Sequence, residues 1–273
     1  MAKRVITILL VTIMIFSMVI PFLSFGATEK PPSKNETLGE INDIVHGLID
    51  LKDNDFLSPK EKNQEEIKIR KEALAKISAL LISEIDELLV KTSSLPPTNK
   101  HASQIQIQFT NFLDSARAYV SQFNEGLLGE LTLNELKIQA IAFKNWRDTY
   151  YQPNFEKLIN FLLISDTQSF LVTADHRLEK IISDLKKLEG ARITRRSEYS
   201  IPLNTAMESL TNANLTYYKA EKLISDILST TSTSSLIATT HIKSLIGQSL
   251  NNIRSAYASF LDISRFIKKR IGK

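Results

Sequence analysis

Histidine and carboxylate side chains are the residues of this chain that could hold a metal ion or transfer a proton. Helical bundles that carry two bridged metal ions need two Glu-x-x-His pairs projecting inward. The nearest match is Asp43 with His46, which has a shorter acid and no second copy. The histidines are scattered singly, at His46, His101, His176 and His241. We therefore predict no metal site and no cofactor.

The stretch His176-Arg177-Leu178-Glu179 is a His-x-x-Glu, and in this spacing alone it resembles exported helical proteins of the imelysin type. Ala174 and Leu178 lie at the apolar positions of the same helical pattern, which turns His176 toward solvent. The chain also lacks a Gly-x-Ser-x-Gly turn and a glycine-rich phosphate loop. These observations predict that the protein is not an enzyme.

Aromatic side chains gather around Pro153, where the helical pattern must end or kink because proline has no N–H to donate. The four are Trp146, Tyr150, Tyr151 and Phe155. Helical bundles bind ligands between their helices, so this stretch is our candidate ligand pocket. The alternative interpretation is that the rings fill the core at one end of the bundle.

Basic residues are concentrated in two places. The first cluster contains Lys186, Lys187, Arg192, Arg195 and Arg196, and the second contains Arg265, Lys268, Lys269, Arg270 and Lys273. One or two cations at a helix C-terminus complement the helix dipole, but these clusters hold more. Such segments bind anionic lipid surfaces. We predict contact with an anionic membrane or another anionic envelope surface.

The overall charge does not suggest nucleic acid as a partner. The net charge of +4 falls to +2 once Lys3 and Arg4 are removed with the leader described below. A nucleic-acid-binding domain is expected to be strongly basic. The chain has no cysteine, which excludes disulfides, thiolate metal sites and a lipid-modified cysteine.

The N-terminus resembles a secretory signal peptide. Lys3 and Arg4 precede an uncharged apolar run at 5–20, and after Pro21 the small residues Ser24 and Gly26 stand at the −3 and −1 positions of a cleavage site. We predict cleavage after residue 26. The alternative is an uncleaved membrane anchor, because the uncharged stretch is long enough to span a bilayer. Both interpretations place the remaining chain outside the cytoplasmic membrane, in a periplasmic or extracellular location.

The segment 201–228 carries the clearest structural pattern. Apolar residues alternate at spacings of three and four, a 3.5-residue repeat that keeps one side of a helix toward a partner helix. This seam consists of Leu203, Ala206, Leu210, Ala213, Tyr217, Ala220, Ile224 and Ile227. The alanines predict close approach of a neighbouring helix. Pro202 is predicted to occupy the first turn.

Helix starts are marked by capping boxes, in which a hydroxyl and a glutamate three residues later satisfy backbone N–H groups. Ser58 with Glu61 is one, and Thr132 with Glu135 is the other.

Helix ends are less well marked. Gly190 is predicted to cap a helix C-terminus. A further capping pattern at Ser165-Asp166-Thr167-Gln168 leaves open whether residues 154–189 form one helix or two.

Together these patterns predict an all-α fold, an elongated antiparallel bundle of six or seven helices with coiled-coil-like seams. Residues 1–26 form the leader, 27–57 a linker and short helix, and 58–273 the bundle. We predict a non-enzymatic, exported interaction or scaffold protein of the cell envelope with an unidentified protein partner. The alternative is a ligand-binding or sensory domain with its pocket near Trp146 and Pro153.

Overall fold

The computed structural model describes residues 34–53, 56–96, 100–229 and 235–271. These residues form helices and short connections, without strands. The helices are α1 (Lys34–Asp53), α2 (Pro59–Ser93), α3 (Lys100–Gly126), α4 (Leu133–Trp146), α5 (Gln152–Gly190), α6 (Arg196–Ser229) and α7 (Ser235–Ile271). A π-helical turn, Arg147–Tyr151, joins α4 to α5. The all-α prediction is confirmed, with six continuous helical segments in the described ranges.

Three sequence predictions concern residues outside the described ranges. They are the signal peptide at 1–26, the first part of the linker, and Lys273 at the C-terminus. These stay predictions.

The chain divides into two compact units, one ending at Gln152 and the other beginning at Pro153. We call them the first and second units. The boundary falls inside the range 58–273 that the sequence analysis treats as one bundle. It also lies one residue after the π-helical turn.

Helices α2 and α3 of the first unit pack antiparallel. The Arg117 guanidinium of α3 contacts Asp86 of α2 at 2.7 Å. Nearer the start of α2, Ser78 donates to the Asn124 side chain at 3.2 Å. The contacts therefore run in opposite directions along the two helices. Both capped helices of this unit begin where the sequence predicts.

The capping boxes explain those two starts. The Ser58 N–H donates to the Glu61 carboxylate at 2.9 Å, while the Ser58 hydroxyl accepts from the Glu61 N–H. The Thr132 N–H likewise donates to Glu135 at 2.8 Å. Both predicted capping boxes are confirmed.

Helices α6 and α7 form the centre of the second unit, joined by apolar residues of α5. Six of the eight seam residues are buried, and Leu203 and Ile227 are half-buried. The Ser249 hydroxyl of α7 donates to the backbone carbonyl of Ala213 at 2.9 Å, in a buried position. The seam therefore faces a partner helix. Left-handed supercoiling of these helices stays a prediction.

The start of α6 differs from the prediction. The helix begins at Arg196, so Pro202 lies in its second turn and not in its first. The Glu198 carboxylate accepts from the Arg195 N–H at 2.9 Å, which satisfies one N-terminal donor. Tyr199 is buried. Capping and burial together extend the helix to the N-terminal side of the proline, despite the donor that proline lacks.

The end of α5 also differs from the prediction. Gly190 is still helical, and the left-handed residue is Arg192, with φ 58°. The Ile193 N–H donates to the Leu188 carbonyl, and the Arg192 N–H donates to the Glu189 carbonyl, both at 2.9 Å. This pair of bonds is a Schellman motif. Gly190 is not the capping residue, because the motif is set two residues later.

Residues 154–189 belong to one helix, which settles the alternative left open by the sequence. Ser165, the first residue of that capping pattern, lies inside the helix, and its carbonyl accepts from the Ser169 hydroxyl four residues later at 3.3 Å. It therefore does not begin a new helix.

Candidate functional site: the basic end of the second unit

Both basic clusters of the sequence lie at the same end of the second unit. We call this region, formed by residues 184–199 and 262–270, the basic end. Its small core contains Leu185 from α5, Tyr199 from α6 and Ile263 from α7, all buried. The end of α5, the start of α6 and the end of α7 therefore meet.

Two polar contacts reinforce this meeting point. The Tyr199 hydroxyl donates to the Glu189 carboxylate at 3.1 Å, which links α6 to the last turn of α5. Burial and the nearby Glu189 carboxylate raise the pKa of Tyr199 above its ordinary value. The Arg270 guanidinium donates to Glu198, which links α7 to the first turn of α6. The three segments are thus held by an apolar core and by hydrogen bonds.

The four acidic residues of the basic end are all engaged inside it. Glu189 and Glu198 make the contacts just described. Asp184 pairs with Lys187 at 3.1 Å, and Asp262 pairs with Arg265 at 3.2 Å. These carboxylates are therefore not available to neutralise the remaining cations.

Six exposed cations of the basic end have no ion-pair partner in the described part of the chain. They are Lys186, Arg192, Arg195, Arg196, Lys268 and Lys269. Each of them carries its positive charge in water, in a region with other positively charged side chains. A guanidinium offers a planar fork of donors to phosphate or carboxylate, and an ammonium acts as a mobile point charge. Such an arrangement can bind a surface that carries many negative charges.

The structure also shows which apolar residues are available at this end. Phe266 and Ile267, which interleave with the C-terminal cations in the sequence, pack against the core of the basic end. Their side chains therefore stabilise the fold and are not available to contact a partner. Ile193, which the sequence analysis did not single out, is 43% exposed beside Arg192. Only the loop geometry reveals it.

The predicted aromatic group divides between the two units. Trp146, Tyr150 and Tyr151 belong to the first unit, and Phe155 belongs to the second, where it is buried. Trp146 stacks on Tyr119 of α3, with ring centroids 4.2 Å apart. Rings of α3 that the sequence analysis did not include complete the first-unit group, namely Phe112, Tyr119 and Phe123.

The π-helical turn begins at a buried arginine. The Gln152 N–H donates to the Arg147 carbonyl, five residues back. The Arg147 side chain is buried and contacts Asp148 at 2.9 Å, and Lys144 contacts the same carboxylate at 2.5 Å. Burial would raise the pKa of Asp148, but hydrogen bonds from the two cations outweigh it and lower that pKa.

The remaining candidates do not form a site in the described ranges. His176 and Glu179 are exposed and 3.5 Å apart. Among the described residues, no three histidine, aspartate or glutamate side chains are placed to hold a metal ion. No helix in the described ranges combines the length and the apolar character needed to cross a membrane.

Comparisons with protein-family models, with curated proteins and with solved structures return no significant match. The arrangement of this chain's own residues is therefore the basis for a functional proposal.

Proposed function

We propose that this chain is an exported, non-enzymatic helical-bundle protein that serves as an interaction or scaffold module of the cell envelope. The observation that carries the proposal is the convergence of two basic clusters at one end of the second unit. We assign the basic end as the surface that contacts an anionic component of the envelope.

The balance of charges supports this proposal over a purely structural role for the cations. Helix C-termini are stabilised by one or two cations, and Lys187 and Arg270 already lie in the last turns of α5 and α7. Six further cations lack ion-pair partners in the described ranges, and crowding them together opposes folding. An anionic partner would offset that repulsion, because each cation could pair with a negative charge of the partner. The signal-like leader supports exposure to such partners outside the cytoplasmic membrane.

Fractionation of the native cell tests the proposal. We expect the protein in the envelope fraction, with a mature N-terminus at Ala27 by N-terminal sequencing. Concentrated salt should release it, since the screening length falls to about 3 Å at 1 M. A variant with Arg192, Arg195 and Arg196 changed to glutamine should be released at lower salt.

A matched control removes three charges elsewhere in the second unit. Lys219, Lys222 and Lys243 are exposed and have no ion-pair partner in the described ranges. Changing them to glutamine should leave the release profile unchanged. A cytoplasmic protein with Met1 intact, or identical release of both variants, would contradict the proposal.

A ligand-binding or sensory role for the first unit is the second candidate, and the π-helical turn favours it. π-Turns within α-helices occur frequently at functional sites. Here the turn lies within the predicted pocket stretch and carries Tyr150, which is 42% exposed, beside the Trp146 ring.

Tryptophan fluorescence tests the second candidate directly, because Trp146 is the only tryptophan in the chain. A ligand that binds near the turn should change its emission in a screen of small-molecule pools. The response should be lost in a Tyr150→Ala variant that retains the wild-type circular dichroism spectrum. If no pool changes the emission of Trp146, the second candidate is wrong and the aromatic residues only fill the core.

A further inference from the structure

We infer that the basic end docks on an anionic phospholipid bilayer, with Ile193 entering the headgroup region between the arginines. This inference rests on the proposed function and specifies its partner. It commits to a lipid surface because an exposed apolar side chain stands among the cations. A soluble polyanion offers no apolar region for that side chain, whereas a bilayer does.

The backbone leaves Ile193 exposed in the loop that follows α5. Arg192 adopts the left-handed conformation, which glycine adopts at lower cost. The following N–H bonds back to the Leu188 carbonyl, so the chain reverses direction immediately after α5. Ile193 is left 43% exposed at this reversal. The loop therefore presents an apolar side chain next to an arginine at a fixed position.

Phe266 and Ile267 do not contribute to insertion, because they pack into the core of the basic end. The docking is accordingly electrostatic with one shallow apolar contact. A cation near an anionic bilayer contributes about fivefold to binding at low salt. Burying the exposed part of Ile193 should contribute about fivefold as well. The two contributions differ in their response to salt, because only the first is screened.

The test compares vesicles of phosphatidylglycerol with phosphatidylcholine, and both with soluble heparin. The full exported chain is used for every variant, so its N-terminal region is identical throughout. Wild type should sediment with phosphatidylglycerol vesicles and much less with phosphatidylcholine. The triple glutamine variant at Arg192, Arg195 and Arg196 should lose about 100-fold in vesicle affinity at low salt. The control triple at Lys219, Lys222 and Lys243 should bind as wild type.

Ile193→Ser separates a bilayer from a polyanion. The variant keeps every cation, so its heparin binding should equal that of wild type. Its affinity for phosphatidylglycerol vesicles should fall about fivefold, a loss that persists in salt. Circular dichroism and thermal unfolding check that the variant is folded.

Two failures can be told apart. If Ile193→Ser binds vesicles as well as wild type while the arginine variant does not, the bilayer inference is overturned and the basic end still binds anions. If the arginine triple and the control triple bind vesicles and heparin equally, both this inference and the proposed function are overturned.

Discussion

The hydroxyl of Ser249 donates to the backbone carbonyl of Ala213 at 2.9 Å, in a buried position between α7 and α6. A side chain as short as serine can reach a neighbouring helix backbone only where the two helices come close. Ala213 allows this approach because it has no side chain beyond its β-carbon and is fully buried. The two residues therefore mark a point of close approach between α6 and α7.

Ala213→Leu should destabilise the protein. The larger side chain would have to fit into a fully buried position in the core that α6 shares with α7, an overpacking that costs about 1–3 kcal/mol. Urea unfolding followed by circular dichroism measures the change. We expect a lower midpoint with an unchanged slope.

Ala258→Leu is the matched control for that variant, because Ala258 is exposed on α7. Alanine and leucine are both good helix formers, so the control should unfold close to wild type. If Ala213→Leu and Ala258→Leu were equally stable, the close contact between α6 and α7 would be wrong.

Arg192→Gly should stabilise the protein by about 0.5–1 kcal/mol. The left-handed conformation costs a residue with a side chain about 1–2 kcal/mol, which glycine does not incur, although glycine gains freedom in the unfolded chain. Thermal unfolding measures the gain. The same variant should bind anionic vesicles more weakly, since it lacks one cation of the basic end.

The control for this variant is Lys186→Gly, which introduces glycine within regular helix. It should lower stability by about 1 kcal/mol. A destabilised Arg192→Gly variant would contradict the left-handed conformation of residue 192.

Acidification should weaken both capping boxes. Hydrogen bonds from Ser58 lower the pKa of Glu61, with the larger effect from the hydroxyl and the smaller from the N–H. Hydrogen bonds from Thr132 lower the pKa of Glu135, with the larger effect from the N–H and the smaller from the hydroxyl. Both carboxyls thus have pKa values below the ordinary 4.5 in the folded protein. Their contribution is complete above that pH and is lost as the pH falls through the folded pKa values.

The double variant Glu61→Gln with Glu135→Gln measures this contribution. Its stability deficit relative to wild type at pH 7 should shrink as the pH is lowered toward 3. Glu208→Gln, at an exposed position outside the capping boxes, should follow wild type at every pH. A deficit for the double variant that stays constant with pH would exclude the carboxylates as its cause.

Sequence patterns correctly predict those features of the fold that depend on neighbouring residues, namely the capped helix starts and the buried side of α6. The boxes at Ser58 and Thr132 need only neighbouring residues, so their helix starts are found correctly. The spacing of apolar residues likewise identifies the buried side of α6, because burial of one side is what creates that spacing.

Tertiary contacts account for what the sequence analysis missed. The start of α6 depends on burial of Tyr199 against residues of α5 and α7, so local signals such as Pro202 mislead. The residue that adopts the left-handed conformation after α5 is Arg192. Glycine usually occupies such a position, so the sequence pattern predicts Gly190 instead. Both basic clusters are visible in the sequence, but their meeting is not, since Glu198 and Arg270 lie 72 positions apart.

That meeting of the two clusters is the claim on which the functional account depends most. The chain has no cysteine, so spin labels can be placed at chosen pairs of sites without removing native thiols. One pair combines Arg192→Cys with Lys268→Cys, and the control pair combines Arg192→Cys with Lys243→Cys. Electron paramagnetic resonance then reports the separation of each pair.

We expect the first pair within about 20 Å, since it spans neighbouring helices at the basic end. The control label lies roughly 37 Å farther along α7, at 1.5 Å per residue, so the control pair should be well separated. A first pair as distant as the control would contradict the account, because the two clusters would then lie at different places.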